Sequence, residues 1–546
     1  MVGGEIGHHH DDGAHAMTRT VVIGAGVAGL ATATLLAREG HDVILLERLD
    51  RIGGRAGTLE RDGFRFDTGP SWYLMPSVYD HFFAMAGTST EAELDLRTLD
   101  PGYRVFREPR SAADPAQVMT VPWGRERVRD LFEELEPGSG RAFDAYLDSA
   151  VKASAMAERR FLYNPFTRKR SLFTGDVLAA APRLASLLGT SLERFVARRF
   201  RDPLLRQILG YPAVFLATRP SDAPAIYHLM SSLDLDDGVL YPMGGMWTLI
   251  ERLRDLAERN GVTIVTGAEV LRIETAPREG KRAVSGVTWR DGARARHSEA
   301  ADIVVSGADL HHTETQLLAA EDRSYDEDWW STKVSGPGAV LVMLGVRGEL
   351  PQLAHHSLFF TRDWTLNFDA IFGDDPHTPD PASIYVCKPS ETDSSVAPAG
   401  HENLFILVPV HADLELGRGG ADGTGDAMVE RIADNAIAQV AAWANVPDLA
   451  SRVVVRQTVG PRDFAEQYHS WRGGMLGPAH ILRQSAMFRA QNASPTVAGL
   501  YYAGATTAPG VGVPMCLISA ELVLKHIRGD RTAGPLPVPR AAPIGS

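Results

Sequence analysis

Val21, Val22 and Ile23 form a short apolar run that stops at Gly24. A run without polar alternation predicts a strand buried on both faces, as in a parallel sheet. An Ala- and Leu-rich stretch follows to Gly40 and predicts a helix, and Val43 to Leu46 predicts a second buried strand ending at Glu47. The same kind of segment recurs at Val262–Val265, after a helical stretch that begins behind Gly244 and Gly245 and stops at Asn260-Gly261. "ADIVVSGAD", residues 301–309, predicts another parallel strand ending in a turn. Near the end, Leu500 to Tyr502 read as a strand running into a Gly/Pro-rich turn. Val513, Leu517, Ala520, Leu524 and Ile527 then recur at helical spacing, with Pro514 in the first turn and Gly529 as the stop.

Between these parts the pattern changes twice. Residues 96–231 carry helical periodicity broken by prolines. "GAVLVMLGV", "ASIYVCK" and "NLFILVPV" are short β-rich segments separated by polar loops, and predict an antiparallel layer walling a substrate cavity. The expected fold class is α/β: a discontinuous Rossmann-like nucleotide-binding domain, a mixed α+β substrate domain and a helical, membrane-facing insertion. The expected boundaries are a leader at 1–17, the nucleotide-binding domain at 18–95, 232–320 and 456–530, the helical insertion at 96–231, the β-rich substrate domain at 321–455 and a disordered tail at 531–546.

The first turn carries chemistry. Gly24, Gly26 and Gly29 spell G-x-G-x-x-G between a strand and a helix. Gly24 permits the tight turn, Gly26 admits a pyrophosphate to the backbone, and Gly29 lets helix and strand pack closely. The helix N-terminus adds free N–H groups and a positive dipole end. Glu47 ends the next strand, where a carboxylate binds the ribose hydroxyls of adenosine. This unit alone leaves NAD and FAD both open.

Composition narrows the classes. The chain has 546 residues, 44% of them hydrophobic, and a formal net charge of −13, which argues against nucleic acid as a partner. Cys387 and Cys516 are the only cysteines, as expected in a reducing cytoplasm. No apolar run is long enough to span a membrane, and "MVGGEIGHHHDDGAHAMTRT" lacks the order of a signal peptide; it reads as a leader, or as sequence upstream of a start at Met17. The histidine pairs at 311–312 and 355–356 lack further ligand spacing and read as exposed or satisfied side chains, so no metal is expected. "RRFLYNPFTRKRSLF", residues 159–173, mixes Arg and Lys with aromatics and has no acid. That suits a membrane surface, against the plainer reading of a solvated helix face.

Soon after Glu47 comes "RIGGRAGTLERDGFRFDTGPSW". The glycine turn, the acid, and then Gly53-Gly54-Arg55 resemble the flavin-containing amine oxidase and carotenoid desaturase superfamily. That resemblance implies FAD, with Gly54 and Arg55 at the diphosphate, Gly69 and Pro70 of "FDTGP" near the flavin ring, and Val270 contacting adenine through its backbone. "YYAGATTAPGVGVP" resembles the C-terminal signature of bacterial-type phytoene desaturases, where the amine oxidase branch tends to carry an acid at the position of Ala505. Gly504, Ala505, Gly512, Val513 and Pro514 are then expected to hold the flavin ring, the helix N-terminus supporting negative charge on the reduced form. Ala508, Met515 and Cys516 depart from the family's usual residues.

The implied activity is FAD-dependent desaturation of a linear C40 carotenoid, phytoene to more conjugated products such as lycopene. It implies an apolar substrate cavity, peripheral contact of a cytoplasmic protein with the membrane through 159–173, and an electron acceptor left open between quinone and oxygen. No proton acceptor stands out; Asp176 is the candidate, against the alternative of a surface carboxylate. An isomerase, a ketolase or a later-step desaturase shares these motifs. An amine oxidase would need a different second turn. A lipid carrier of the same fold, like the Rab GDP-dissociation inhibitors, would not need the intact glycines, Glu47 and Arg55.

Overall fold

The computed structural model describes residues 17–111, 114–167 and 174–539. Five short strands form a wholly parallel sheet in the order Leu500–Tyr502, Ile303–Ser306, Arg19–Ile23, Asp42–Leu46 and Thr263–Val265. Both faces are covered, which explains the unbroken apolar runs. Val22, Val43, Leu45 and Val305 pack under helices Val27–Arg38, Met246–Arg259 and Val513–Arg528. Val21, Ile23, Leu46 and Val304 pack on the other face against Ile273 and Val287, from the antiparallel strands Glu269–Arg278 and Lys281–Arg290. Helix Val27–Arg38 is buried from Val27 to Leu36. Its two threonines are tolerated there because Thr32 and Thr34 donate back to the Ala28 and Leu30 carbonyls, at 2.7 and 2.8 Å. Since all five strands run one way, the turns after Ile23, Leu46, Ser306 and Tyr502 open on a single sheet edge.

A second sheet has seven strands in the order Val453–Val459, Gly338–Arg347, His401–Val410, Ile384–Cys387, His356–Phe360, Tyr103–Arg107 and Gln117–Val121. Along Gly338–Arg347, Val340, Val342 and Leu344 face helix Ala427–Trp443, while Leu341 and Met343 face Phe64, Phe66 and Met475. This layer corrects two expectations. It is mixed rather than antiparallel, because His356–Phe360 pairs in parallel with Tyr103–Arg107. It also takes two strands from the stretch expected to be helical: Tyr103, Val105 and Phe106 are buried on a pleated surface, a signal too short to stand out from the helical periodicity around it.

Apart from the short strand Leu96–Thr98, the ordered elements of the rest of that stretch are helical, chiefly Arg125–Leu135, Ser139–Ala157, Gly175–Leu188 and Pro203–Gly210 around Phe132, Phe143, Tyr146 and Phe200. Of the basic–aromatic segment 159–173, residues 168–173 lie outside the described residues. In the remainder Tyr163 is buried, so its ring faces the protein rather than solvent. No helix among the described residues is long and apolar enough to cross a membrane.

One buried acid joins this helical part to the second sheet. Asp234 accepts hydrogen bonds from Tyr103 at 3.2 Å and Tyr211 at 2.9 Å, and both rings pack against Trp72. Its other oxygen is buried without a partner. Burial pushes its pKa up to about 7 from 3.8. The folded chain therefore holds an extra proton between about pH 4 and 7, and stability falls as the pH rises through that window. Denaturant unfolding at pH 5 and pH 8 checks this: wild type should lose ~2–3 kcal/mol more than D234N over that interval, and equal losses would contradict it.

Candidate active site

The parallel edge opens into a single elongated cavity of about 740 Å³. Its first half is the nucleotide end. Gly53 donates its N–H to the Ala25 carbonyl at 2.8 Å and bridges to Gly26, so the two glycine turns lie side by side. A Cβ on Gly29 would stand 1.9 Å from the Gly24 carbonyl oxygen, so close packing of helix on strand demands glycine there. Gly26 differs: a Cβ there meets nothing nearer than 3.9 Å and would project into the cavity. Glu47 follows its strand directly; its carboxylate accepts from the Ala25 N–H at 2.7 Å and the Leu49 N–H at 2.8 Å, and burial raises its pKa. Each oxygen keeps a lone pair for a hydroxyl.

Arg55 donates to Ser470 at 2.7 Å, lies 3.6 Å from the buried Asp309 carboxylate, and keeps a buried Nε without a partner among the described residues. An unpaired guanidinium N–H on the wall of a polar cavity suits an anionic ligand. Gly69 packs on the Arg55 carbonyl so closely that a Cβ would lie 2.0 Å from it. Gly24, Gly54, Pro70 and Val270 line the same half.

The second turn reaches this edge from the opposite end of the chain. Gly504, Ala505, Gly512, Val513 and Pro514 all line the cavity, as do Ala508, Met515 and Cys516. Helix Val513–Arg528 starts at Gly512, whose φ of 117° is a glycine conformation, and no side chain caps it. Its first N–H groups therefore face the cavity free. The turn is held from behind by Asn492, whose amide donates to the Tyr502 and Ala508 carbonyls and to Ser519, and by Ser519, which accepts from the Gly504 N–H at 2.9 Å.

Arg489 is the residue that reading the sequence missed. It is buried and donates only to carbonyls, those of Ala505 at 2.6 Å, Thr507 at 3.0 Å, Pro478 at 3.3 Å and Gln484 at 3.4 Å. No carboxylate ion-pairs with it among the described residues, and burial pulls its pKa down to about 10. A lone arginine outside any motif gives no local signal; only the fold puts it under the turn. His480 is the second such residue. Its ring packs so tightly against Gly510 that a Cβ there would lie 2.1 Å from Nε2.

Beyond the second turn the lining becomes apolar. Trp72, Leu341, Tyr385, Phe405, Leu407 and Met475 form one wall, and Phe161, Leu187, Phe215, Ile226 and Leu233 continue outward. Leu188, Leu482, Met487 and Phe488 line the cavity and are also exposed, which marks its mouth. The carboxylates in the lining, Glu47, Glu269 and Asp309, all belong to the nucleotide half. Asp176 is not among the lining residues. It sits at the exposed start of helix Gly175–Leu188, where Thr174 and Arg160 hold its pKa down to about 2. A carboxylate so placed is a weak base and reaches no reacting atom, so the proposed role as proton acceptor is withdrawn.

The histidine pairs also divide. His311 pairs with Glu327 and His312 stacks on His469 at 3.8 Å. His355 and His356 are buried with one ring nitrogen each unpartnered, against the expectation of satisfied side chains.

Residues 27–523 match the family model described as flavin containing amine oxidoreductase. The chain is 41% identical over 502 residues to a carotenoid 3,4-desaturase of Haloarcula japonica, covering 92% of this chain and 96% of that protein. It is 32% identical over 516 residues to a zeta-carotene-forming phytoene desaturase of Myxococcus xanthus, covering 93% of each. Among solved structures an oxidoreductase from Methanosarcina mazei shares the fold, with a TM-score of 0.61, 19% identity, and coverage of 93% of this chain and 100% of that one. The free Arg55 N–H, the open glycine cradle and the uncapped helix fit a flavin dinucleotide laid along the sheet edge. The chain belongs to the flavin-containing amine oxidoreductase family, in its carotenoid desaturase branch, and is an FAD-dependent oxidoreductase acting on CH–CH groups.

Proposed function

We propose that the chain desaturates a linear C40 carotenoid, threaded from the membrane through the apolar half of the cavity to the second turn. The observation that carries this reading is the continuity of one cavity from the glycine cradle to an apolar mouth, with no carboxylate among the described residues of its outer half. FAD supplies the two-electron acceptor for a hydride taken from one carbon, while the neighbouring carbon loses a proton. Gly24, Gly26, Glu47, Gly54, Arg55 and Val270 hold the dinucleotide in this reading, and Gly69, Pro70, Gly504, Ala505, Gly512, Val513 and Pro514 hold the ring. The electrons taken from the substrate would pass on to a quinone or to oxygen.

The protein's own part is position and charge. The free N–H groups of helix Val513–Arg528 and the buried charge of Arg489 both support negative charge beside the second turn. The aromatic and aliphatic walls exclude water and align an extended chain. Ser71 and Tyr385 both line the cavity, hydrogen-bonded to each other at 2.7 Å, and are the candidate first step of the proton's route in place of Asp176.

Two steps compete for the substrate. Early desaturation of phytoene towards lycopene is the expectation from the C-terminal signature. A later step at the 3,4 bond is favoured by the higher identity to the 3,4-desaturase. The leucines, Met487 and Phe488 at the mouth support peripheral docking of a cytoplasmic protein on the bilayer, in place of residues 159–173 alone.

Expression in hosts that accumulate phytoene or lycopene, with pigment analysis, separates the two steps. Conversion of lycopene but not phytoene is expected; unchanged pigments in both, with folded flavoprotein present, would count against desaturation. Arg489→Met should lower the flavin reduction potential by roughly 30–60 mV, while Arg489→Lys stays near wild type; equal potentials would remove Arg489 from the electrostatics. Replacing Met487 and Phe488 together by Asp should weaken sedimentation with phospholipid vesicles roughly tenfold at unchanged flavin content. Unchanged sedimentation would place the membrane contact elsewhere.

A further inference from the structure

Behind the cavity wall lies a compact group that the reaction does not use. His356 opens the strand His356–Phe360, and Cys387 closes Ile384–Cys387 directly opposite it. His355 precedes His356, and its carbonyl accepts the Lys388 N–H at 2.7 Å. His355, His356 and Cys387 are at most 3% exposed, and one ligating atom from each lies within 4.8 Å of the others.

The hydrogen bonds are those of ligand histidines. His355 Nδ1 meets Thr392 Oγ1 at 2.8 Å, and His356 Nδ1 meets Tyr385 Oη at 2.7 Å. Both Nε2 atoms are buried and have no hydrogen-bond partner among the described residues. A ring that donates its Nδ1–H to an oxygen presents a lone pair at Nε2, the arrangement in which imidazole binds metal. Left empty, each such nitrogen carries an uncompensated desolvation penalty. Two orphaned nitrogens beside one thiol are hard to explain as packing.

The surroundings orient the group and balance its charge. The His356 ring stacks on Trp72 at 4.3 Å, and His355 lies edge-on to Tyr241 at 4.6 Å. Asp67 acts on Cys387, and Asp393 on His355, as nearby negative charges. The Lys388 ammonium opposes them, and it is engaged by Glu391 at 2.5 Å, by Glu402 at 3.8 Å and by the Leu350 carbonyl at 2.8 Å.

We infer that His355, His356 and Cys387 form a zinc site that fastens two strands of the second sheet behind the Trp72 wall. Two imidazoles and one thiolate select a borderline-soft cation over magnesium or calcium. As the Zn–S bond forms, the Cys387 S–H proton leaves to solvent, and no redox change occurs. No fourth His, Cys, Asp or Glu joins the group among the described residues, so a water completes the tetrahedron.

The test is metal analysis of the purified, flavin-loaded chain after dialysis against metal-free buffer, with X-ray absorption at the zinc edge. About one zinc per chain is expected, with one sulfur neighbour near 2.3 Å and nitrogens near 2.0–2.1 Å. Cys387→Ser should retain less than about a tenth of that zinc, and Cys516→Ser all of it. If Cys387→Ser fails to fold, the sulfur neighbour in wild type decides. A wild-type chain with less than about a tenth of an equivalent, and no rise in melting temperature on added Zn²⁺, overturns the site. So does zinc with nitrogen and oxygen neighbours alone, as the His8–His10 run would bind it.

Discussion

The structure turns on the parallel alignment of five strands whose carboxyl ends share one edge. Parallel strands need long crossovers, so the chain must leave the sheet and return to it. The returns are used: the middle of the chain builds the second sheet and the helices, and the last crossover brings the second turn beside Ile303–Ser306. One edge then carries two uncapped helix starts, at Gly26 and Gly512, which share positive potential along one line. An elongated ligand with negative charge at its middle and at one end fits that line, and a flavin dinucleotide is such a ligand.

Close contacts keep the alignment rigid. Gly29 on the Gly24 carbonyl and Gly69 on the Arg55 carbonyl leave no room for a Cβ, so helix, strand and second glycine turn are locked at fixed spacing. Gly26, with open space in front of it, is the one left for the ligand. The same logic explains the change in character along the cavity. Where N–H groups and Arg55 face inward the wall is polar. Once the sheet edge is passed, only side chains of the second sheet and the helices remain, and these are mainly apolar, with Lys152 and Arg183 as the charged exceptions.

The parallel strands were legible because burial on both faces forces unbroken apolar runs, and the two turns were legible because close backbone approach leaves glycine as a mark. Val270, Glu47, Gly24 and Gly26 of the first turn, and Gly504, Ala505, Gly512, Val513 and Pro514 of the second, all line the one cavity. What was not legible depends on contacts between distant segments. Arg489 looks like any arginine until the fold places it under Ala505 and Thr507. Tyr103–Arg107 was hidden because its parallel partner lies some 250 residues away, a pairing that no local pattern encodes. Asp176 has the residue type a proton acceptor needs, but its neighbours Arg160 and Thr174 account for it as a surface ion pair. The His355–His356 pair looked bare of further ligands because Cys387 arrives across a strand pair rather than along the chain.

The most direct measurement mixes the oxidised flavoprotein, without oxygen or quinone, with a linear carotenoid in phospholipid vesicles and follows both chromophores. Loss of oxidised-flavin absorbance in step with a longer conjugated system, one new double bond per flavin, is the predicted result. A carotenoid that binds in the cavity while the flavin stays oxidised, with its conjugation unchanged, would contradict the account.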